Sequence, residues 1–589
     1  MSHFVSLLGR WRRRFWLMPV LALVVVLLLW PAAMLAVGAF RTSPPGMPGQ
    51  WSWRAFAALA SQDGIWTAAR NSAVLAVTTT ALALLLAPAF AFLSQRTGIR
   101  LRRVITPMMM IVFATPSLFY AMAYSLMGNR FNGYANALLR ILMGDEAPVF
   151  DVESWAGLLG VTTLRATAFI YLFIAPAFAA LDRAHEDASL VSGRGKAGTF
   201  LRVSLPILAP AITGAAILGL VAGLHAFDTV LILGEPAGIR VLATEIYDML
   251  VHAYPPAYAE ASLVSLLLVL LVGALCIAQF LLLGRRGYVT VTGRQGARRP
   301  HDLGGWRWLA GGLVCVYFVL GVAAPFGALV YGAFQPFPGV HGALTWLHFE
   351  RVFTRPGVLQ AVWTTGLLAV GVGALAMVFG VALALANTHL GPRGRTFVRF
   401  AALVPYAMPG IVAALAVTWA YVSVPGLRQI YGTPWMLVVA FIVVVMPFAM
   451  QAAQAAVAQL SPDLAAAARV SGASALRANV GIVGRLILPS FLAGWFFVAI
   501  IIAGNLDVPL LLGTPTLSTV ASQIFILQSQ GQMGDAAALV VSSIFGVLLL
   551  GPAALLLRRA VRARRSRLRS PGTGRVSAGA AVRLQGELS

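Results

Sequence analysis

Charge is what this sequence has least of. Only 11% of the 589 residues are Asp, Glu, Lys or Arg, and Lys196 is the single lysine. So little charge cannot cover the surface of a soluble domain, which excludes an ordinary soluble enzyme, a disordered chain and a small secreted scaffold. The two cysteines, Cys276 and Cys315, lie in apolar runs and form neither a disulfide framework nor a cluster of metal ligands.

Long apolar runs fill the sequence instead, with 59% apolar residues and a mean hydropathy of +0.84. A helix needs about 20 apolar residues to cross a bilayer, and a sheet with open edges cannot cross one. The sequence therefore predicts an all-α polytopic membrane protein with twelve transmembrane helices. The first run is too long for a cleaved signal peptide. The twelve runs lie near residues 16–38, 72–93, 104–127, 155–180, 205–233, 261–284, 306–333, 364–386, 399–423, 435–458, 489–512 and 536–558.

The net charge of +24 comes from arginines that are clustered between the apolar runs. The clusters fall in every second loop, so the positive-inside rule places all of them in the cytoplasm together with both termini. No basic face with interleaved aromatic residues is present, and nucleic-acid binding is therefore not expected. The clusters occupy residues 10–14, 96–103, 183–202, 285–299, 393–399, 469–485 and 558–569.

Self-comparison predicts that the chain is a tandem duplication of two six-helix repeats. An offset of 293 residues aligns Pro116 with Pro409, and an offset of 279 aligns Asp228 with Asp507. Both repeats begin on the same side, so we expect an axis along the membrane normal with a pathway at the interface. The expected domains are a first half over 1–290, a cytoplasmic linker over 291–305, a second half over 306–565 and a disordered basic tail over 566–589.

The cytoplasmic loop between the fourth and fifth helices carries an unusual pattern in both halves. The first reads HEDASLVSGRGKAGTFLRVSLP from His185, and the second reads SPDLAAAARVSGASALRANVGIVGRLILP from Ser461. Ala and Ser keep a short helix thin enough to enter a groove on another protein. A Gly permits a sharp turn, and a Pro suits the first turn of the next helix.

These two loops resemble the motif of the permease subunits of binding-protein-dependent ABC importers, which is Glu-Ala-Ala, three residues, Gly, nine residues and Ile-x-Leu-Pro. The resemblance implies a coupling helix that docks in a cleft of a cytoplasmic ATPase. Asp187 stands where the family has Glu, Ala466 carries no acid, and Pro489 comes four residues late. The residues placed in ATPase coupling are Asp187, Ala188, Gly193, Pro206, Ala466, Ala467, Gly472 and Pro489.

One stretch of the first loop, Gly193 to Ala197, looks like a phosphate-binding P-loop. That motif requires Gly five residues before Gly195, where Leu190 stands, and Ser or Thr after the Lys, where Ala197 stands. The chain is therefore expected to hold no cofactor and to catalyse no reaction. The resemblance assigns ATP and Mg²⁺ to a partner, a dimer of cytoplasmic ATP-binding subunits.

The double-length chain resembles the iron(III), thiamine, polyamine and phosphonate branch of these permeases, and the segment from Phe227 to Leu250 resembles the iron(III) type. The resemblance implies a protein of the bacterial inner membrane that takes its substrate from a periplasmic binding protein. The substrate implied is iron(III) or another small ionic solute.

Ionisable groups and prolines at membrane depth are candidates for the translocation pathway. Arg165 lies midway along the fourth run, and it either contacts an anionic substrate or pairs with Asp228 or helix carbonyls. Asp228 and Asp507 either gate the pathway, contact the binding protein or cap helix ends. Pro116 and Pro409 interrupt the third and ninth runs, and either line the pathway or are ordinary bends.

A secondary transporter with two sets of six helices is the competing class. It shares the helix count and the parallel duplication, and Asp228 and Asp507 would be its proton carriers. It leaves the paired loop motifs without an explanation, and the basic loop between helices two and three that is typical of that class is not matched.

Overall fold

A computed structural model describes residues 17–144, 146–284, 301–337, 342–458 and 484–549. Within these ranges every regular element is a helix, apart from two isolated β-bridges, Arg41 to Trp51 and Thr97 to His301. In chain order the helices are α1 (Leu17–Gly38), α2 (Arg54–Ser61), α3 (Asp63–Arg96), α4 (Arg102–Ala114), α5 (Ser117–Gly128), α6 (Tyr134–Met143), α7 (Trp155–Ala180), α8 (Arg183–Val191), α9 (Lys196–Thr199), α10 (Phe200–Leu224), α11 (Leu242–Val251), α12 (Tyr258–Gly284), α13 (Trp306–Phe334), α14 (Leu347–Thr354), α15 (Val358–His389), α16 (Pro392–Tyr406), α17 (Gly410–Val422), α18 (Pro434–Ala458), α19 (Gly484–Gly504), α20 (Asp507–Leu512), α21 (Val520–Ser529) and α22 (Met533–Leu549).

Nine helices in the described ranges are long and apolar enough to cross a membrane, and counting each of two bent pairs as one span gives up to eleven. The nine are α1, α3, α7, α10, α12, α13, α15, α18 and α19. Two predicted runs are divided. The run at 205–233 is interrupted where α10 ends at Leu224, and a separate π segment follows at Val230–Gly234. The run at 489–512 is interrupted because α19 ends at Gly504 and α20 begins at Asp507. The last predicted run, 536–558, extends beyond the described residues, where α22 ends at Leu549.

The two bent pairs are interrupted at proline. The chain turns by 99° between α4 and α5, and by 110° between α16 and α17. Proline disfavours helical geometry at the residue before it, and Thr115 accordingly adopts an extended conformation with ψ of 125°. Pro116 and Pro409 then stand immediately before the first residues of α5 and α17.

Helices α5 and α17 form the centre of the molecule. All residues from Leu118 to Gly128 and from Ile411 to Tyr421 are buried. Helix α5 packs against α13, whereas α17 packs against α1. Each broken span is therefore covered by the first span of the other half of the chain.

A π-helical segment interrupts each covering helix, Val25–Leu29 in α1 and Val319–Ala323 in α13. Such a segment shifts the hydrogen-bond ladder, a feature frequent at functional sites. Tyr421 donates its hydroxyl proton to the carbonyl of Val26 at 2.9 Å, and Tyr124 donates to the carbonyl of Leu320. Tyrosines on the two central helices thus bond to carbonyls in the π segments of the opposite half.

Two clusters of three aromatic rings have closely matching geometry. Phe40, Trp53 and Phe56 have ring centroids 5.0–5.2 Å apart, and Phe334, Trp346 and Phe349 have theirs 4.9–5.4 Å apart. In both clusters the first Phe and the Trp meet edge to face at 87°. Each cluster joins the end of a first span to the short amphipathic helix that follows it.

The fold divides into two units, residues 1–538 and 539–589. The described part of the second unit, residues 539–549, is helical, and the hydroxyl of Ser543 bonds to the carbonyl of Leu539.

Candidate functional site

The first loop with the permease-like motif contains a short helix with one buried face. Helix α8 begins after Asp182, whose side chain accepts a hydrogen bond from the amide of Ala184 at 3.0 Å. Asp187 and Ala188 are exposed on α8, whereas Ser189 is buried. The exposed side, which also carries Val191 at 89% exposure, is open to a partner.

Gly193 ends this helix in a left-handed conformation, with φ of 83°. Side chains with a Cβ rarely adopt this conformation, so the turn after α8 favours glycine. Pro206 lies in the first α-helical turn that follows the π segment Phe200–Ser204 of α10. The chain thus leaves α8 sharply and re-enters the membrane through α10.

The second loop falls largely outside the described residues. Ala466, Ala467 and Gly472 lie in the undescribed range 459–483, so their placement in ATPase coupling stays a prediction. Pro489 is described and lies inside helix α19.

Sequence reasoning missed a buried ion pair at the base of α8. Glu186, one residue before the motif, is 7% exposed and pairs with Arg96 at the end of α3. Arg96 also donates to the carbonyl of Leu181 at 2.8 Å, and Ser204 donates to Glu186 at 2.8 Å. Removal of one member of a buried pair costs about 3–5 kcal/mol, because the other charge is left uncompensated. The only signal in the sequence is a second acid beside Asp187.

The two aspartates predicted for the pathway meet at the centre of the molecule. Asp228 is 6% exposed and Asp507 is 9% exposed, and their carboxyl groups lie within hydrogen-bonding reach of each other. Ser117 at the start of α5 donates its hydroxyl proton to Asp228, and Gly410 at the start of α17 lies against the carboxyl group of Asp507. The free amides and positive dipole of a helix N-terminus stabilise a carboxylate.

The break in the first half lies next to residues of the second half. A Cβ at Gly504 would stand 2.2 Å from a ring carbon of Pro116, and a Cβ at Gly410 would stand 2.2 Å from a carboxylate oxygen of Asp507. Such distances leave no room for a side chain. The structure therefore brings Pro116, Asp228, Pro409 and Asp507 together around the interface between the two halves.

Arg165 lies beside this group rather than in it. Its guanidinium donates to the carbonyl of Thr115 at 2.8 Å, at the bend between α4 and α5, and lies 5.3 Å from the centre of the Tyr120 ring. These contacts satisfy the freed carbonyl before Pro116 and place a cation next to the break. Contact between Arg165 and a substrate stays a prediction.

Another charged cluster follows the Asp228 segment, on and before the short helix α11. Arg240 donates to Asp248 at 2.8 Å and lies 4.0 Å from Glu245. Burial raises the pKa of Glu245, an effect that the charge of Arg240 partly opposes. Asn71 ties this loop to α3 through the carbonyl of Arg240 at 2.8 Å. A cleft of about 540 Å³ opens beside it, lined by Thr67, Asn71, Glu153, Ser154, Trp155, Ala237, Gly238 and Ile239.

No group of three or more His, Cys, Asp or Glu residues able to hold a metal ion occurs in the part of the chain that the structure describes. The site has instead two levels. One is the exposed side of α8, and the other is the carboxyl pair between the broken helices.

Comparison with known families identifies two regions of this chain. Residues 79–286 and 376–569 match the family described as the binding-protein-dependent transport system inner membrane component. Together these regions cover more than half of the chain, and each contains one of the two broken spans.

Curated relatives include permeases named for several solutes. A putative ferric transport system permease of Haemophilus influenzae is 26% identical over 388 residues, which cover 64% of this chain and 59% of the relative. A ferric transport system permease of Actinobacillus pleuropneumoniae is 25% identical, over 64% of this chain and 55% of the relative. A lactose transport system permease of Rhizobium radiobacter is 25% identical, over 44% of this chain and 90% of the relative. The chain thus matches less than two thirds of the length of either ferric permease.

Among solved structures, a chain from a bacterial ABC transporter involved in the import of the acidic polysaccharide alginate matches 49% of this chain and its own full length. The TM-score is 0.41 and the sequence identity is 15%.

Proposed function

Since the chain belongs to the family of binding-protein-dependent transport system inner membrane components, we propose that it is the membrane permease of an ATP-driven importer. It would supply the translocation pathway and a mechanical link, while the chemistry occurs elsewhere. The observation that carries this proposal is the meeting of two broken spans, one from each matched region, at the Asp228–Asp507 contact.

The pathway in this proposal runs between the two halves at that contact. Asp228 and Asp507 meet across the interface between the halves, so a pathway that opens there has to separate their two carboxyl groups. The bends at Pro116 and Pro409 place the N-termini of α5 and α17 beside it. Arg165 would add a positive charge for an anionic substrate or chelate.

A dimer of cytoplasmic ATPase subunits is the proposed partner on the inner side, and it would bind ATP and Mg²⁺. Asp187, Ala188 and Gly193 of the first loop would dock in one ATPase cleft, and Ala466, Ala467 and Gly472 of the second loop in the other. Pro206 and Pro489 would connect these loops to the membrane spans. The exposed side of α8 supports this role for the first loop.

A periplasmic binding protein is the proposed partner on the outer side, where it would dock on the loops near residues 39–71, 128–154, 234–260 and 334–363. The substrate would be iron(III) or another small ionic solute. Two relatives named as ferric permeases support iron(III), and the lactose permease among the relatives shows that the family is broader.

The proposed architecture is two tandem six-helix repeats with twelve spans and both termini in the cytoplasm of a bacterial inner-membrane protein. The matching aromatic clusters, the paired π segments and the two bent spans support a duplication. The last of the twelve spans would continue α22.

Mass spectrometry of proteins that co-purify with the chain from its native membrane in mild detergent tests this proposal. An ATPase subunit at about two copies per chain is expected, and the binding protein of the same system would then identify the substrate through its ligand. Repeated recovery of the chain alone, even after cross-linking at Gly193 and Gly472, would contradict the proposal. Transport driven by a proton gradient without ATP would then favour a secondary transporter.

A further inference from the structure

The buried base of α8 is bonded to two membrane spans at once. One carboxylate oxygen of Glu186 accepts a hydrogen bond from Arg96 at the end of α3. The other accepts a hydrogen bond of 2.8 Å from the hydroxyl of Ser204 in α10. Arg96 holds the backbone before α8 as well, at the carbonyl of Leu181. We call Arg96, Glu186 and Ser204 the α8 anchor.

The end of the linker that precedes the second half is held at the same place. The amide of His301 donates to the carbonyl of Arg96 at 2.8 Å, and its ring lies 3.5 Å from Glu186 and is stacked on Phe92. The α8 anchor therefore joins the loop helix, two spans of the first half and the end of the linker.

The two sides of α8 have different environments. Glu186 and Ser189 are buried against the membrane spans, and Ser189 shares a hydrogen bond of 3.0 Å with Thr199. Asp187 and Val191 face outward. A protein that binds the outward side can displace α8 only by moving, or breaking, the ion pair behind it.

The sequence of the second half differs at the positions that correspond to Arg96 and Glu186. The 279-residue offset aligns Glu186 with Ala465, and the 293-residue offset aligns Arg96 with His389. Residues 459–483 lie outside the described residues, so the α8 anchor is defined for the first loop alone.

From these contacts we propose that Arg96 and Glu186 are positioning residues that transmit movement of a docked α8 to α3 and α10. The proposal rests on the proposed function, in which an ATPase docks on α8. The buried ion pair connects α8 rigidly to α3, because its separation would leave two buried charges without partners.

The test compares transport per ATP hydrolysed in proteoliposomes that contain the assembled complex with its ATPase and binding protein. In Glu186→Ala and Arg96→Ala we expect assembly and ATP hydrolysis to persist while transport per ATP falls by about five-fold or more. Asp302→Asn is the matched control, because Asp302 is an exposed acid beside His301 that takes no part in the anchor.

A charge exchange separates positioning from a general loss of stability. The double variant Arg96→Glu with Glu186→Arg should show higher transport per ATP than either single variant. If a single variant fails to assemble, the double variant should assemble better than that single variant. Wild-type transport per ATP in Glu186→Ala, or single variants that are impaired and not recovered by the exchange, would overturn the proposal. Failure of the wild-type chain to bind an ATPase would instead overturn the proposed function.

Discussion

At the scale of single residues, Arg165 shows how a charge is held at membrane depth. Its bond to the carbonyl of Thr115 and its position over Tyr120 compensate the guanidinium without a neighbouring carboxylate in direct contact. Lysine is a poor replacement here, because an ammonium lacks the planar fork that reaches a carbonyl while lying on a ring.

Replacement of Arg165 by alanine is expected to reduce transport by about ten-fold or more. The change leaves the carbonyl of Thr115 without its donor. It also removes the only cation that the described contacts place beside the carboxyl pair. Binding-protein affinity for the solute should not change. Uptake of radiolabelled solute, alongside equilibrium binding to the isolated binding protein, measures both effects. Unaltered uptake would refute a role for Arg165 in the pathway.

Glu245 predicts a dependence on pH in the loop after Asp228. Burial raises its folded pKa above the ordinary value of 4.5, so the folded loop binds a proton more readily than the unfolded loop. The stabilisation by this group is complete below the unfolded pKa and is lost as the pH rises through the raised folded pKa. Protection of residues 242–251 from hydrogen exchange, corrected for the intrinsic rate, should therefore decrease over this range. In Glu245→Gln this decrease should vanish, and an identical pH profile would argue against the assignment.

At the scale of elements, the positions of the spans follow from local sequence, because apolar length alone predicts a crossing helix. The interruptions at Pro116 and Pro409 also have a local cause in proline geometry. The bonds from Tyr124 and Tyr421 to the π segments have no local signature, since each joins residues far apart in sequence. Glu186 was missed for the same reason, because only its distant partner Arg96 makes it buried.

Close approach at the bends makes glycine substitutions informative. Gly504→Ala should destabilise the protein by about 1–3 kcal/mol, because the new Cβ would overlap the ring of Pro116. Gly311→Ala is the control, since a Cβ at this position in α13 meets nothing within 4 Å and alanine favours a helix. Thermal inactivation in detergent should occur at a lower temperature for Gly504→Ala than for Gly311→Ala or the wild-type protein. Equal midpoints would mean that the two halves are less closely packed at Pro116.

At the scale of the whole molecule, the contact of Asp228 with Asp507 predicts that the halves must separate at the centre during transport. Asp228→Cys with Asp507→Cys, in a chain whose Cys276 and Cys315 are replaced by serine, should form a disulfide under oxidation. Oxidation should stop transport, and dithiothreitol should restore it to the level of the unoxidised double variant. The single-cysteine variants should be insensitive to both reagents. If the fully cross-linked protein took up solute as fast as the dithiothreitol-treated protein, no separation of Asp228 from Asp507 would be needed for transport.

The exchange of covering helices between the two halves also has a consequence for biosynthesis. Helix α17 is covered by α1, and α5 is covered by α13, so a fragment that stopped at the linker would display an uncovered central helix to membrane proteases. Two separate fragments would have to find each other at cellular dilution. A short tether supplies an effective local concentration of the order of millimolar. The single chain thus delivers its two parts in a fixed one-to-one ratio, whatever the level of expression.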